Sequence, residues 1–335
     1  MRFLFMVFSG IIFLATSTYA SSLQFLETEK VVYDDRFYNF IGADSQVEIL
    51  ASDLGWAEGP VWVESLNALL FSDLAVDKVY RWDESSGLTD YLFPSGHAPD
   101  DKGSAWRGSN GLAIDNNGDL VLAQQGSRRL ARMLSPLDKP LPHYEVLSSH
   151  YKGKMINSPN DLVVHPGGDI YFTDPPYGLE GFEKNPAIEL DFFGVFRVTQ
   201  NNELIVVSRE LEKPNGIALS NDLSTLYVSN SEDNIAQIIA IELDSQGNAK
   251  TARLFFDAGA LVSDGPGSTD GLTVHPSNFL FVSIPNGLAV LSPKGKLLGK
   301  MALGQVTNMT LDHTQSYLYI TSPTRLLRLK LNEFH

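Results

Sequence analysis

Six short phrases in the sequence each begin with Glu, Asn or Asp, residue types whose side-chain oxygens can bind metal ions or polar substrates. Four of the phrases resemble one another, and their first residues recur 50, 55 and 55 residues apart. Carboxylate and amide oxygens are hard ligands, which favour Ca²⁺ or Mg²⁺ over softer metals. We call these first residues the anchor residues: Glu58, Asn110, Asn160, Asn215, Asp270 and Asn308.

Four of the anchor residues, Glu58, Asn160, Asn215 and Asp270, have the composition of a ligand set for one divalent cation. The two carboxylates carry two negative charges, which such a cation neutralises, so both can be buried together. Ca²⁺ takes about 6 to 8 oxygen ligands, so four protein oxygens leave positions for water and substrate. We therefore predict a central metal site for Ca²⁺, with Mg²⁺ or Zn²⁺ as alternatives.

Asn-Gly and Asp-Gly pairs are also common turn signals, so any single anchor residue could instead mark a turn. In each copy, however, the anchor residue leads into an apolar strand pattern, and a separate turn follows several residues later. One example is Asn160-Asp-Leu-Val-Val, which is followed by the turn Pro166-Gly-Gly. Because the turn lies elsewhere in each copy, this order favours the interpretation of the anchor residues, taken as a group, as ligands.

The elements that position the anchor residues are repeated β-hairpins. Six copies of roughly 40 to 55 residues, all strand and turn, predict an all-β fold, a six-bladed β-propeller. Equivalent positions of all blades then lie at one height around one axis, so the anchor residues converge at the mouth of a central channel. A propeller must also close its ring, and we predict that a strand near the N-terminus pairs beside the C-terminal strands.

The chain divides into three parts. Residues 1–20 have the features of a secretory signal peptide: Arg2, an apolar stretch, and the cleavage motif Thr18-Tyr19-Ala20. The apolar stretch is shorter than the ~20 residues that span a bilayer, which argues against a membrane anchor. Residues 21–44 form an N-terminal arm without a clear period, and residues 45–335 form the propeller. We expect a periplasmic or secreted protein with no membrane attachment after signal removal.

Composition restricts the partners. The 335-residue chain has a formal net charge of −15, which disfavours nucleic acid and anionic membranes. It contains no cysteine, so thiol chemistry is excluded. Neither a Gly-x-Ser-x-Gly motif nor a P-loop is present, which disfavours a serine hydrolase and a P-loop nucleotide site. A small-molecule substrate fits best, and the sequence does not define the oligomeric state.

Five longer motifs contain or adjoin the anchor residues. They are Trp56-Ala-Glu-Gly-Pro-Val-Trp, Asn157-Ser-Pro-Asn-Asp-Leu-Val-Val, Tyr171-Phe-Thr-Asp-Pro-Pro-Tyr-Gly-Leu, Lys213-Pro-Asn-Gly-Ile-Ala-Leu-Ser and Thr269-Asp-Gly-Leu. In this order they resemble the gluconolactonase branch of the SMP-30/gluconolactonase/luciferin-regenerating-enzyme family. The resemblance extends from about Gln46 to the C-terminus, and it implies a six-bladed propeller with a divalent metal in the central channel. By this resemblance the metal ligands are Glu58, Asn160, Asn215 and Asp270, and Asn110 contacts the substrate.

Together with the predicted signal peptide, the resemblance implies an exported, metal-dependent lactonase that hydrolyses a sugar lactone. The metal would polarise the carbonyl, and Asp270 would act as the catalytic residue that activates water. Glu58 would be a ligand only, and Asn110 and Asn160 would hold substrate oxygens. Two alternatives remain: a phosphotriesterase of the diisopropyl-fluorophosphatase type, and a non-catalytic propeller that binds a partner.

The sequence also departs from this branch. Gln124-Gln125 stands where the branch often has Glu-His, and the segment Asp264-Gly-Pro-Gly-Ser-Thr before Asp270 is longer than usual. Two insertions, residues 97–108 and 178–193, interrupt the repeat and are expected to lie over one face of the propeller. The roles of both glutamines and both insertions are not defined by sequence.

Three further polar residues lie near the repeats. Asp174 either orients a ligand residue or caps the turn made by Pro175-Pro176. His165 and His275 each precede a proline at a hairpin turn, so we interpret them as turn residues and not as bases.

Overall fold

The anchor phrases form the innermost strands of six antiparallel sheets. The computed structural model describes residues 24–96, 106–232 and 235–333, so the predicted signal peptide lies outside the described residues. In chain order the strands are β1 (Gln24–Leu26), β2 (Lys30–Val32), β3 (Val47–Ala51), β4 (Ala57–Val63), β5 (Ala68–Asp73), β6 (Lys78–Asp83), β7 (Gly87–Leu92), β8 (Leu112–Ile114), β9 (Leu120–Gln124), β10 (Arg129–Met133), β11 (Tyr144–Ser148), β12 (His150–Tyr151), β13 (Lys154–Met155), β14 (Leu162–Val164), β15 (Ile170–Asp174), β16 (Gly194–Val198), β17 (Leu204–Ser208), β18 (Pro214–Leu219), β19 (Thr225–Asn230), β20 (Gln237–Leu243), β21 (Ala249–Asp257), β22 (Leu272–Val274), β23 (Leu280–Ile284), β24 (Gly287–Leu291), β25 (Leu297–Ala302), β26 (Asn308–Leu311), β27 (Tyr317–Ser322) and β28 (Arg325–Lys330).

The helices of the described residues are short 3₁₀ turns. They are Asp35–Asn39, Glu64–Leu66, Gln125–Ser127, Phe182–Lys184 and Gly259–Asp264. Across the same ranges, none of the helices has the length and apolar character needed to cross a membrane.

The sheets are the blades of a six-bladed β-propeller, which confirms the predicted fold. Each blade runs outward in chain order from its innermost strand. Blades 1 to 4 are β4–β7, β8–β11, β14–β17 and β18–β21. Blade 5 is β22–β25 with β2 added at its outer edge, and blade 6 is β26–β28 with β3 and β1 added. A separate two-stranded sheet, β12–β13, lies between blades 2 and 3 in the chain.

The ring is closed by a strand from the start of the chain. The strands β3 and β28 pair antiparallel, with Leu327 opposite Ile49 and Leu329 opposite Val47. This pairing confirms the prediction that an N-terminal strand completes the last blade. The innermost strands of neighbouring blades also contact one another all the way round, including β26 with β4. The anchor residues are therefore carried on one continuous inner ring.

The apolar core lies between the faces of adjacent blades. One cluster, between blades 2 and 3, contains Val121, Phe172 and Phe196. The cluster between blades 5 and 6 also takes in Phe37 and Phe40 of the N-terminal arm, both almost fully buried. Burying apolar surface stabilises the folded state by about 25 cal/mol per Å² of area removed from water. The apolar faces between blades therefore hold neighbouring blades together. The arm is consequently packed into the propeller, a role that its sequence did not indicate.

The two histidines occupy hairpin turns, as predicted. The Nδ1 atom of His165 accepts a hydrogen bond from the backbone N–H of Gly167 at 2.8 Å. In the corresponding turn of blade 5, the N–H of Ser277 donates to Nδ1 of His275 at 3.1 Å. The ring of His275 also packs edge-on against Phe40, and its burial lowers its pKa. Both side chains stabilise turns.

Candidate functional site

The anchor residues occupy one level of the inner ring. Glu58 and Asn215 lie within β4 and β18, and Asn308 is the first residue of β26. The other three anchor residues come two residues before the innermost strands of their blades. All except Asp270 are buried, and Asp270 is partly accessible from the central cavity described below.

Hydroxyl groups on the second strand of one blade hold the backbone of the next blade's anchor residue. The Ser72 hydroxyl donates to the carbonyl of Asn110 at 2.7 Å, and the Thr173 hydroxyl donates to the carbonyl of Asn215 at 2.6 Å. The Ser229 hydroxyl donates to the carbonyl of Asp270. Because each bond crosses a blade boundary, it fixes the height of one anchor residue relative to the preceding blade.

A cavity of about 270 Å³ opens at this end of the propeller. Five anchor residues line this central cavity: Glu58, Asn110, Asn160, Asn215 and Asp270. The structure therefore brings together every residue for which the sequence suggested a metal, catalytic or substrate role. Asn308 does not line the cavity; its amide donates to Oδ2 of Asp161 at 3.3 Å and also hydrogen-bonds to the Glu58 carboxylate.

Two acidic residues that line the cavity, Glu58 and Asp270, interact with each other and with a third, Asp161. The pKa of Glu58 is raised well above its ordinary value by burial and by the charges of Asp270 and Asp161. Burial and the charge of Asp161 likewise raise the pKa of Asp270, against a hydrogen bond from the Asn215 amide. These three carboxylates interact strongly enough to disfavour their all-ionised state without a counter-charge.

Asp161 is a site residue that the sequence analysis did not identify. Burial raises its pKa to about 6, although several N–H groups donate to its carboxylate. Those donors include the backbone N–H of Leu162 at 2.9 Å and that of Ile217 at 3.2 Å. A sequence signal was present: four anchor residues are followed by Gly, whereas Asn160 is followed by this Asp.

The donor set fits a hard divalent cation. The raised pKa values of Glu58 and Asp270 are opposed by hydrogen bonds from backbone and amide N–H groups, those of Gly59 and Asn308 for Glu58 and that of Asn215 for Asp270. Within the described residues, His, Cys, Asp and Glu side chains alone do not form a metal-binding group of three. The amide oxygens of Asn160 and Asn215 would have to complete the ligand set, and amide oxygens are ordinary ligands of Ca²⁺.

Aromatic side chains form the rim of the central cavity. Trp56 and Trp106 pack with ring centroids 5.3 Å apart, and Tyr177 and Phe182 pack edge-on at 6.3 Å. All four residues line the cavity. Trp106 belongs to the insertion 97–108 and Phe182 to the insertion 178–193, so the described parts of both insertions reach the cavity.

The two adjacent glutamines have different environments. Gln124 is held away from the cavity: its Nε2 donates to the Ser95 carbonyl at 2.7 Å, and its Oε1 accepts from Nε of Arg129 at 2.6 Å. Gln125 lines the cavity and accepts a hydrogen bond from the Asn110 amide at 3.3 Å. Of the pair, only Gln125 is therefore placed to influence a ligand.

Asp174 supports the segment that leads to Asn160. Its Oδ2 accepts hydrogen bonds from the backbone N–H of Asn157 at 2.7 Å and from the Asn157 amide at 3.0 Å. These bonds favour the orienting interpretation over a cap on the Pro175-Pro176 turn. Asp174 itself does not line the cavity.

The fold and the site together define the class of protein: it is a six-bladed β-propeller in which carboxylate and amide side chains converge on a central cavity. Residues 56–324 match the family described as SMP-30/Gluconolactonase/LRE-like region. The chain belongs to this family, as its motifs had suggested.

Relatives in this family support the assignment. The chain is 33% identical over 314 residues to a gluconolactonase of Zymomonas mobilis subsp. mobilis, covering 90% of this chain and 86% of the relative. A solved gluconolactonase from Xanthomonas campestris is 30% identical with a TM-score of 0.78, covering 92% of this chain and 97% of that one. A solved putative gluconolactonase is 28% identical with a TM-score of 0.77, covering 91% and 98%.

Proposed function

We propose that this protein is a lactonase that requires a divalent cation and hydrolyses a sugar lactone outside the cytoplasm. One observation carries the proposal: two carboxylates and two amides, from four different blades, line one cavity that is open to solvent. Membership of a family whose relatives include gluconolactonases supports the reaction class.

The cation would be held by the carboxylates of Glu58 and Asp270 and by the amide oxygens of Asn160 and Asn215. The all-oxygen donor set favours Ca²⁺, with Mg²⁺ or Zn²⁺ as alternatives. When bound, the cation supplies Lewis-acid polarisation of the lactone carbonyl. The charge of Asp161, which acts on both Glu58 and Asp270, further favours a cation at this position.

Asp270 acts as the general base in this proposal. The Asn215 amide donates to its carboxylate, which holds the side chain in one orientation. A carboxylate oxygen takes a proton from water as the water oxygen bonds to the carbonyl carbon. The bond from the carbonyl carbon to the ring oxygen then breaks, and the proton passes to that ring oxygen. The product is an open-chain hydroxy acid.

The remaining cavity residues bind and orient the substrate. Asn110 and Asn160 hold its oxygen atoms by hydrogen bonds. The aromatic rings of Trp56 and Tyr177 offer flat apolar surfaces to the C–H faces of a sugar ring. Because these rings line the rim, a bound sugar would also shield the cavity from bulk water.

A pH-stat assay on a panel of lactones, with Ca²⁺ and then with excess chelator, tests the proposal. We expect acid release from sugar lactones that chelator abolishes and added Ca²⁺ restores. A phosphotriester in the same panel tests the alternative chemistry. Absence of lactone hydrolysis with every divalent cation tried, from protein shown to be folded, would reject the proposed function.

A further inference from the structure

Asn110 presents an unsatisfied hydrogen-bond acceptor beside the central cavity. The residue is only 3% exposed, and its Nδ2 donates to Oε1 of Gln125 at 3.3 Å. Its Oδ1 is buried and accepts no hydrogen bond from any described residue. A buried amide oxygen without a donor costs about 1 to 3 kcal/mol, so a ligand that donates to it gains that much relative to one that cannot.

The orientation of the Asn110 amide is set through Gln125. Nε2 of Gln125 donates to the backbone carbonyl of Trp106 at 3.3 Å. A carbonyl can only accept, so this bond requires the NH₂ end of Gln125 to face Trp106. The Oε1 end then faces Asn110, which must offer its own NH₂ group. The oxygen of Asn110 is consequently the end left for a ligand.

Packing holds Gln125 in this position. The residue is 1% exposed and begins the 3₁₀ turn Gln125–Ser127. On one side it lies against Gly178, where a Cβ atom would be 3.0 Å from Cβ and 3.3 Å from Cδ of Gln125. The glutamine therefore has little freedom to rotate its amide away from the two bonds.

We propose that Gln125 is a positioning residue that makes the cavity selective for lactones bearing a free hydroxyl group. It fixes Asn110 with the amide oxygen as acceptor, so a ligand hydroxyl is bound and an unhydroxylated ring leaves that oxygen unpaired. This inference rests on the proposed function for its substrate class, but the binding preference does not require hydrolysis. Sites built to bind a ligand hydroxyl discriminate against analogues that lack it.

Binding of two lactams, which resist hydrolysis, tests the inference directly. Calorimetry in the presence of Ca²⁺ would compare a polyhydroxylated six-membered lactam with δ-valerolactam, its unhydroxylated counterpart. We expect the wild-type protein to prefer the hydroxylated lactam. Gln125→Met keeps the side-chain volume but removes both hydrogen bonds, and we expect the preference to fall by about tenfold.

Two further variants separate positioning from general damage. Gln125→Glu keeps an acceptor for the Asn110 amide and should recover most of the preference. Gln124→Met removes the matched neighbouring amide, which does not line the cavity, and should leave the preference unchanged even if the protein melts at a lower temperature. Thermal unfolding of each variant confirms that it is folded.

The outcomes distinguish this inference from the proposed function. Loss of the preference in Gln125→Met, with recovery in Gln125→Glu, supports the positioning role even if no lactone is hydrolysed. An unchanged preference in Gln125→Met overturns the role even if hydrolysis is efficient. Equal binding of the two lactams by the wild-type protein, or binding of neither, overturns it as well.

Discussion

Gly59 and Asn110 approach so closely that a Cβ atom on Gly59 would lie 2.2 Å from the carbonyl oxygen of Asn110. Gly216 has the same relationship with Asp270, also at 2.2 Å. The innermost strands of neighbouring blades thus meet through their backbones. In these two anchor phrases the glycine permits blade packing, and the phrase is not itself a turn.

We expect Gly59→Ala to destabilise the protein more than Gly87→Ala. Both glycines have positive φ, 51° and 64°, but a Cβ on Gly87 would meet nothing within 4 Å. The two variants share the backbone strain, and only Gly59→Ala adds a clash, which typically costs about 1 to 3 kcal/mol. Denaturant unfolding measures the difference, and equal losses in the two variants would contradict close packing at Gly59.

Asp270→Asn tests the general base. The amide keeps one oxygen for the cation but cannot accept a proton from water, so turnover of lactones should fall by about 10² to 10⁴-fold at saturating Ca²⁺. Glu58→Gln is the matched control, because it alters a proposed ligand that has no assigned proton. Near wild-type turnover by cation-saturated Asp270→Asn would show that Asp270 is only a ligand.

Calcium should stabilise the folded protein. The carboxylates of Glu58, Asp161 and Asp270 are buried together, so a bound divalent cation relieves their repulsion. At a concentration 100 times the dissociation constant, binding adds about 2.7 kcal/mol to the free energy of unfolding. Melting temperature should therefore rise with Ca²⁺ and fall with chelator, and the response should weaken in a Glu58→Gln, Asp270→Asn double variant. A melting temperature indifferent to Ca²⁺, Mg²⁺ and chelator would argue against the site.

Asp174 should make stability depend on pH. Burial raises its pKa from 3.8 to about 7, although hydrogen bonds from Asn157 and the charge of Arg128 oppose the shift. The folded protein therefore retains a proton that the unfolded chain releases. The resulting stabilisation is complete below pH 3.8 and is lost as the pH rises through 7.

Asp174→Asn removes this proton but keeps an acceptor for Asn157. Between pH 5 and 8, the free energy of unfolding of the wild type should fall relative to that of the variant. The slope is at most about 1.4 kcal/mol per pH unit, the value for one proton. The acids of the central site are present in both proteins and cancel in the comparison. Parallel profiles for the two proteins would show that Asp174 does not titrate in this range.

The N-terminus of the exported protein should be Ser21. The positive Arg2, the apolar stretch and the small-residue site ending at Ala20 occur in the order of a cleaved signal peptide. Mass spectrometry of protein recovered from outside the cytoplasm should show a mass that begins at Ser21. Recovery of a chain that retains Met1 would contradict cleavage.

The convergence of the anchor residues was predictable because a repeated hairpin places equivalent positions at equal heights. The same logic predicted that a strand near the N-terminus would close the last blade. The strands β1 and β2 were not predicted, since three residues are too few to show a period and their pairing depends on the edges of other blades.

Parts of the site could not be predicted because they depend on contacts between distant segments. Trp56 and Trp106 are far apart in the chain and meet only at the central cavity, which both residues line. Gln124 and Gln125 are adjacent at the end of β9, and their side chains point in different directions. They therefore contact different residues, which the sequence alone does not reveal. Asp161 was visible in the sequence only as a substitution for glycine, and its proximity to Glu58 and Asp270 required the folded ring.

The pairing of β3 with β28 has a consequence for the order in which the protein can be completed. The strand β3 pairs with β1 on one edge, but its other edge obtains its partner only when the end of the chain is made, because β28 lies there. Until then, the edges of β3 and β27 that β28 joins remain open to pairing with other molecules. A chain that stops before Arg325 would lack the strand that joins β3 to β27, and we expect it to aggregate. The final few residues therefore determine whether all the preceding blades become a monodisperse protein.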